Sequence, residues 1–303
     1  MLIEQIIHQV WVGTKKIPTN LLKASKSWKK YNPDYKHLIH QNKDCVDLIS
    51  KHYPQYLDIY EGLLLPVQKA DLFRYIAVYH YGGIYTDMDT SAVKPLSDLI
   101  SVEDTCIIGR DDDKKIKGRK KIEYLQWFFA ARKKHPIFKE ILNVIAERYQ
   151  EKPCTIDLVG KDNYTYWLTG PLAFTMGIIR FLRKKDTINT ITIKDKCYFG
   201  NYEVYYNKKC LEKAVLLHHY DGSWKNGWEN KDKKWYIPKN TIKNSNKDNN
   251  KTKTPNNIEH FTNNVNKINF RSNNNRVLSI LLVNIISVSI IILFISLLVK
   301  RYL

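Results

Sequence analysis

Two aspartates one residue apart, Asp87 and Asp89, close the stretch KADLFRYIAVYHYGGIYTDMDT that runs from Lys69 to Thr90. They follow a short β-type run, Ile84, Tyr85 and Thr86, which begins after the Gly82-Gly83 break. Side chains at i and i+2 of an extended segment point the same way, so both carboxylates can face one hard cation, Mn²⁺ or Mg²⁺. A divalent cation held in this way is what a diphosphate needs. Upstream, Asp71 and Arg74 are three apart and therefore neighbours on a helix. The strand after the glycines must return beside that helix, which brings the pair toward the same cleft. There a carboxylate accepts bonds from sugar hydroxyls, and a guanidinium grips an anionic or hydroxylated donor. Solvated turn residues and a surface ion pair are the plain alternatives for these four side chains.

Far downstream, His218 and His219 follow the apolar run Val215, Leu216, Leu217 and precede Asp221, Gly222, Ser223 and Trp224. A neutral imidazole is a good third ligand beside two carboxylates, and strand alternation does not choose between the two histidines. The Ser223 hydroxyl and the Trp224 indole N–H are donors suited to phosphate oxygens. In the first strand-like run, His8 and Trp11 are either satisfied core residues or part of the floor under a nucleotide.

Taken together these motifs resemble glycosyltransferase family 32, the DXD-motif sugar transferases that include initiating α-mannosyltransferases and inositol-phosphoceramide mannosyltransferases. More distantly they are similar to the glucosyltransferase domains of clostridial toxins. The resemblance rests on Ala70, Asp71, Arg74, Gly82, Gly83, Tyr85, Asp87 and Asp89, on IIHQVWVG from Ile6 to Gly13, and on LHHYDGSW from Leu217 to Trp224, in that family's order. It implies a GT-A-like nucleotide-sugar-binding sandwich and a metal held by Asp87, Asp89 and His218, with His219 as the alternative. It further implies a donor site that includes His8, Trp11, Asp71, Arg74, Gly83, Asp87, Ser223 and Trp224, with Asp71, Arg74 and Asp89 carrying catalysis. Retention of configuration is also a family expectation. Thr169-Gly170-Pro171 matches a further family feature. Gln126, where related sequences often carry Asn, departs from the pattern near the acceptor side.

The elements that must position these residues alternate. Strand-like runs at Ile6 to Val12, His37 to His40, Ile84 to Asp87, Thr105 to Gly109, Thr190 to Ile193 and Ala214 to His218 are interleaved with helical ones. The helical runs lie around Leu21 to Lys30, Cys45 to His52, Pro66 to His80, Ile137 to Gln150 and Pro171 to Arg183. In the third of these a proline suits the first turn and the Gly-Gly pair supplies a stop. The alternation predicts an α/β sandwich around a mostly parallel sheet, with ligands at the carboxyl ends of its strands.

Four regions follow: a catalytic domain over 1–238, an Asn/Lys-rich linker over 239–276, an uncharged apolar span over 277–299 and a short tail over 300–303. The linker lacks periodicity and reads as disordered. The span, VLSILLVNIISVSIIILFISLLV, has 23 residues. At about 1.5 Å per residue it crosses a hydrocarbon core of roughly 30 Å, predicting a single C-terminal transmembrane helix.

The formal net charge of +19 divides into +11 over 1–238, +6 over the linker and +2 after the span. Because the excess is spread rather than focused, specific nucleic-acid binding is not expected. The same asymmetry, with no signal-like stretch at the start, places the catalytic domain on the cytosolic face of an endomembrane. Five widely spaced cysteines without a C-x-x-C pair read as reduced thiols. The charged run from Asp111 to Lys121 reads as a solvated loop, or as a contact for anionic lipid.

These features point to a membrane-anchored, metal-dependent, retaining glycosyltransferase. It would move a hexose, mannose first, from GDP-mannose or a UDP-hexose to a lipid or membrane-associated glycan. A toxin-like protein glycosyltransferase and a non-catalytic sugar or nucleotide-sugar binding protein are the alternatives. Donor hydrolysis separates the enzymes from the binder, and the acceptor class separates the two enzymes.

Overall fold

A computed structural model describes residues 2–13, 16–111, 115–116, 119–120, 122–151, 161–184 and 190–222. Contacts divide the chain into Met1–Ile242 and Lys243–Leu303, and the second unit lies wholly outside the described residues. The linker, the apolar span, Ser223 and Trp224 therefore all fall outside them. Among the described residues, no helix is long and apolar enough to cross a membrane.

Strands β1 (Ile6–Val10), β2 (Lys36–His40), β3 (Gly83–Thr86), β5 (Cys106–Asp111), β8 (Glu123–Ala131) and β9 (Thr192–Asp195) form one sheet in the order β2-β1-β3-β8-β5-β9. β1 pairs in parallel with β2 and β3, and β5 with β9. Only β8 runs against its two neighbours, β3 and β5. The result is a mixed α/β fold with a mostly parallel central sheet. Helices α1 (Thr19–Tyr31), α2 (Asn42–His52), α3 (Leu57–Gly62) and α4 (Pro66–Tyr81) precede β3. Later come α5 (Ile137–Glu151), α6 (Lys161–Leu168), α7 (Pro171–Leu182) and α8 (Lys208–Lys213).

Alternation along the parallel strands separates two cores. Ile7 and Ile84 point to a cluster with Trp28, Phe128, Phe199 and Leu216. Tyr85 and Val10 point to the larger cluster with Phe73, Ile76, Phe129, Ile141 and Phe174. The sequence reading assigns no strand to Glu123–Ala131, because this strand shows no clean apolar alternation. It is covered on both faces, and both sets of side chains are mostly buried.

Helix α4 is the central support. Pro66 occupies its first turn, and the Gln68 Oε1 reaches back to accept from the Leu64 and Leu65 N–H groups at 3.1 and 3.2 Å. Gly82 (φ 71°) and Gly83 (φ 94°) end it. A Cβ on Gly83 would lie 2.4 Å from the Ile6 carbonyl oxygen, so only glycine lets β3 start this close to β1.

Two further two-stranded pairings complete the frame, one of them β6 (Lys115–Ile116) antiparallel to β7 (Arg119–Lys120). β4 (Thr90–Ala92) runs antiparallel to β10 (Leu216–His218), with Thr90 opposite His218. The last residues of the described chain are thereby carried to the turn that follows β3.

Candidate active site

Asp87 and Asp89 sit on a turn between β3 and β4, not on the extended segment that their spacing suggests. The Asp87 carbonyl accepts from the Thr90 N–H at 3.2 Å and the Thr90 hydroxyl at 2.6 Å, so the chain reverses there. It also accepts from the Gln9 Nε2 at 3.0 Å. Gln9 is fully buried; its Oε1 accepts from the Ser25 hydroxyl at 2.5 Å and from the His37 Nε2 at 2.9 Å. On the other side the Asp87 N–H donates to the Trp127 carbonyl at 2.9 Å, and the Trp28 indole N–H donates to the Thr90 carbonyl at 3.1 Å. Three elements thus fix the turn, and the carboxylates converge because of its geometry.

His218 joins them. Its Nε2 lies 3.4 Å from the Asp89 Oδ1, and potential ligand atoms of Asp87, Asp89 and His218 all lie within 4.8 Å of one another. The Asp89 Oδ2 accepts from the Asp221 N–H at 2.9 Å, and the Asp89 carbonyl from the His219 N–H at 2.9 Å. Burial raises the Asp89 pKa, but the adjoining His218 and the Asp221 N–H more than reverse this and hold it at about 2. His219 is turned elsewhere: its Nε2 pairs with the Ser91 hydroxyl at 2.8 Å, and burial lowers its pKa to about 4.

Behind the turn, Arg74 bridges two carboxylates. One terminal nitrogen lies 2.6 Å from the Asp71 Oδ1 and the other 3.0 Å from the Asp87 Oδ1. The guanidinium also lies over the Tyr85 ring at 4.5 Å, while the Tyr85 hydroxyl donates to the same Asp87 oxygen at 2.6 Å. The Thr169 hydroxyl donates to the Asp71 Oδ2 at 2.8 Å. Burial works against the charge on Arg74, yet Tyr85, Asp87 and Asp71 raise its pKa above the usual guanidinium value. Burial pushes Asp71 up to about 6, against the pull of Arg74 and Thr169. Asp71 and Arg74 are therefore a buried pair, 3% and 5% exposed, joined to the cleft through Asp87.

Two residues expected at the donor have other places. His8 is fully buried, on the side of β1 facing α4. Its Nε2–H donates to the Gly82 carbonyl at 2.9 Å, which leaves its Nδ1 to accept from the His40 Nε2, also at 2.9 Å. Of its two weighed roles it takes the satisfied core position, tying the helix stop to the sheet. Gly83 serves the close approach to β1. Trp11 is half-buried past the end of β1, where its N–H extends the pairing to the His40 carbonyl. The next two residues, Val12 and Gly13, line a cavity of about 290 Å³ with Asn42, Tyr60, Glu61 and Lys69.

Several supports were not legible in the sequence: Gln9, Trp28, Trp127 and Thr169 as a partner of Asp71. The one available signal was Gln9, a polar residue inside an apolar strand. Gln126, the departure noted above, is buried and donates to the Tyr75 hydroxyl and to the Thr169 carbonyl, so it braces the segment that holds Asp71. Asp111 is not part of a solvated loop: it is buried at the end of β5, 3.2 Å from the Lys196 Nζ. The reduced-thiol reading fails for one pair, since Cys197 and Cys210 form a disulfide while Cys45 and Cys106 stay free. The short turns between them bring the two Cα atoms within 4.8 Å.

Residues 18–106, which include both aspartates, match the family described as glycosyltransferase sugar-binding region containing DXD motif. The match covers less than a third of the chain. The chain is 28% identical over 202 residues to the initiation-specific alpha-1,6-mannosyltransferase of Candida albicans, which covers 58% of this chain and 52% of that protein. It is 33% identical over 100 residues to the mannosyl phosphorylinositol ceramide synthase SUR1 of Saccharomyces cerevisiae, covering 33% of this chain and 26% of that protein. The chain thus spans about half, or less, of the length of these two relatives. Among solved structures, the PaToxG glycosyltransferase aligns with a TM-score of 0.46 at 22% identity, covering 59% of this chain and 70% of that one. The DXD residues themselves are the pair that the turn after β3 presents.

Proposed function

We propose that this protein is a metal-dependent glycosyltransferase that moves a hexose, mannose in the first instance, from a nucleotide sugar to a lipid or membrane-associated glycan. The observation that carries the reading is the convergence of Asp87, Asp89 and His218, brought from the β3–β4 turn and from β10 to within 4.8 Å. Two carboxylates and one imidazole suit Mn²⁺ or Mg²⁺. The buried His218 Nδ1 has no hydrogen-bond partner, and Asp89 stays ionised, as a cation ligand must. Bound there, the cation neutralises the charge that builds on the departing diphosphate.

The chain's own residues supply the rest. Asp87 keeps one oxygen on Arg74 and Tyr85, which fixes the other toward the cleft. Arg74 and Asp71, buried behind Asp87, act on the donor by fixing that carboxylate. The cavity past the end of β1 receives the nucleoside, over the floor that Trp11 begins. Ser223 and Trp224 hold phosphate oxygens. The acceptor hydroxyl oxygen forms the bond to the anomeric carbon as the bond to the diphosphate breaks, and its proton passes to the leaving phosphate. Attack from the same face retains configuration, which suits a site in which neither Asp71 nor Arg74-bound Asp87 is free to act as a covalent nucleophile.

The mannosyl donor is supported by the names of the two fungal relatives, and the lipid acceptor by the second of them. The membrane anchor at 277–299 rests on the uncharged span. The disulfide counts against the cytosolic face, because such bonds persist on the oxidising side of a membrane, so we place the catalytic region there. The test is a panel of GDP-mannose, UDP-glucose and UDP-galactose with the full chain and Mn²⁺. Turnover of one donor that EDTA abolishes is the expected result, and equal turnover in EDTA contradicts the metal reading.

A further inference from the structure

Beyond His218 the structure carries a line of aromatic rings that the donor reaction does not use. The His218 ring packs against Trp127, 4.7 Å away and 22° from parallel, and against Tyr220, 4.0 Å away, and those two rings also meet edge to face at 5.9 Å. The Tyr220 hydroxyl accepts from the Tyr202 N–H at 3.3 Å, and the Tyr202 and Tyr206 rings lie 6.1 Å apart. These three tyrosines are exposed by 37%, 44% and 64%, although rings of this size are ordinarily covered.

The face is built. Tyr220 has φ 50°, a left-handed conformation that is costly for a bulky residue and calls for a reason. It is enforced from both sides, since the His219 and Asp221 N–H groups both bond to Asp89. The strain therefore presents the Tyr220 ring beside His218. Tyr202 and Tyr206 lie within the segment closed by the Cys197–Cys210 disulfide, and Tyr205 between them donates its hydroxyl to the His218 carbonyl at 2.9 Å. The platform and the metal-facing histidine are held as one unit.

We infer that this face is the acceptor subsite, and that it stacks on the apolar C–H side of a polyhydroxylated six-membered ring, a pyranose or a cyclitol. Flat rings with phenol hydroxyls at their edges match such a ligand, which is apolar on its faces and polar around its rim. Position supports the same occupant, because an attacking hydroxyl must reach a donor held at Asp87 and Asp89, and the line of rings starts at their third partner. The inference rests on the glycosyl-transfer reading for the identity of its ligand.

The experiment uses the full chain in detergent with Mn²⁺ and GDP-mannose, and two acceptor probes: methyl α-mannoside for a glycan and myo-inositol 1-phosphate for a lipid headgroup. In the Tyr202→Ala/Tyr206→Ala variant the KM for the accepted probe rises about tenfold or more, with kcat and the donor KM within about twofold, as expected for lost aromatic contacts. Tyr206→Phe, which keeps the ring, restores the acceptor KM. An unchanged acceptor KM in the double variant, or a donor KM that rises by the same factor, overturns the subsite. Saturation-transfer NMR of the two probes without donor gives a readout that needs no turnover. Saturation of the mannoside alone marks a glycan subsite, and saturation of the inositol phosphate alone marks a headgroup subsite. Saturation of neither overturns the inference even where transfer is observed. Saturation without any nucleotide-sugar turnover upholds the subsite and removes the reaction assigned to it.

Discussion

The Arg74 guanidinium shows how closely the chemistry and the scaffold are joined in this protein. It neutralises Asp71, which burial would otherwise protonate, and at the same time fixes one oxygen of Asp87. Removing one partner of such a buried set leaves an uncompensated charge. Arg74→Lys keeps the charge but cannot span both carboxylates, so we expect Mn²⁺ affinity to fall about tenfold or more, with donor turnover falling alongside. Calorimetric titration of Mn²⁺ checks this, and wild-type affinity would reduce the bridge to a packing feature. Asp89 is a cleaner case. Asp89→Asn retains an acceptor for the Asp221 N–H while losing the anionic ligand, so metal binding and transfer should drop by roughly 100-fold or more. Its thermal midpoint without metal should stay within a few degrees of wild type. A variant that unfolds would show that Asp89 acts mainly in holding β10. Gln9→Leu tests support from the next layer: it strips the Asp87 carbonyl of a buried donor and should lower both stability and metal affinity.

At the scale of elements, the parallel half of the sheet was legible because its strands are short apolar runs bounded by turn residues, and α4 because Pro66 and Gly82-Gly83 punctuate it. β8 was not, since both of its faces are covered and its pattern has no period of two. The grouping of Asp87, Asp89 and His218 was legible from residue type, yet the reason that the two aspartates converge was not. Their spacing suggests a strand, whereas a turn held by Gln9, Thr90 and Trp28 does the work, through contacts more than 60 residues apart in sequence for two of these partners. Likewise, β10 pairing with β4 brings the His218 ring, and not that of His219, beside the Asp89 carboxylate, through a register no local pattern contains.

The same packing implies a pH response. Burial lowers His8 to about 3, and His40 and His135 each to about 4, from an ordinary value near 6.5. The unfolded chain binds these protons first, so stability is fully present above about pH 6.5 and is lost progressively as pH falls toward 4 and below. Urea midpoints measured at pH 7.5, 6 and 5 should decline in that order. His8→Gln, which removes one of the histidines lowered by burial, should flatten the decline, and an unchanged slope would show that His8 plays no part in it.

For the whole molecule, the charge pattern and the disulfide point the proposed catalytic region to opposite faces of a membrane. The charge difference across the apolar span is small, with +6 before it and +2 after it. The Cys197–Cys210 disulfide is the stronger indicator, since both sulfurs are buried and the loop they close holds His218 in place. Reduction should lower stability by about 2–4 kcal/mol and weaken metal binding. Asn250-Lys251-Thr252 supplies a reporter of topology. Expression in a eukaryotic cell should give a product whose mobility shifts on removal of N-glycans, and no shift, with protease sensitivity outside sealed microsomes, would return the domain to the cytosol. Asn163-Tyr164-Thr165 is a poorer probe, because Thr165 is buried and its hydroxyl accepts from Gln68.

We propose above that Asp87, Asp89 and His218 hold a divalent cation required for transfer from a nucleotide sugar. This proposal is tested most directly by following nucleoside diphosphate release from GDP-mannose and UDP-hexoses by the full chain, first with Mn²⁺, then with EDTA, then with Mn²⁺ restored. Release from one donor should stop in EDTA, return with Mn²⁺ and be absent throughout in Asp89→Asn. Release that persists undiminished in EDTA, or that Asp89→Asn supports at the wild-type rate, would contradict it.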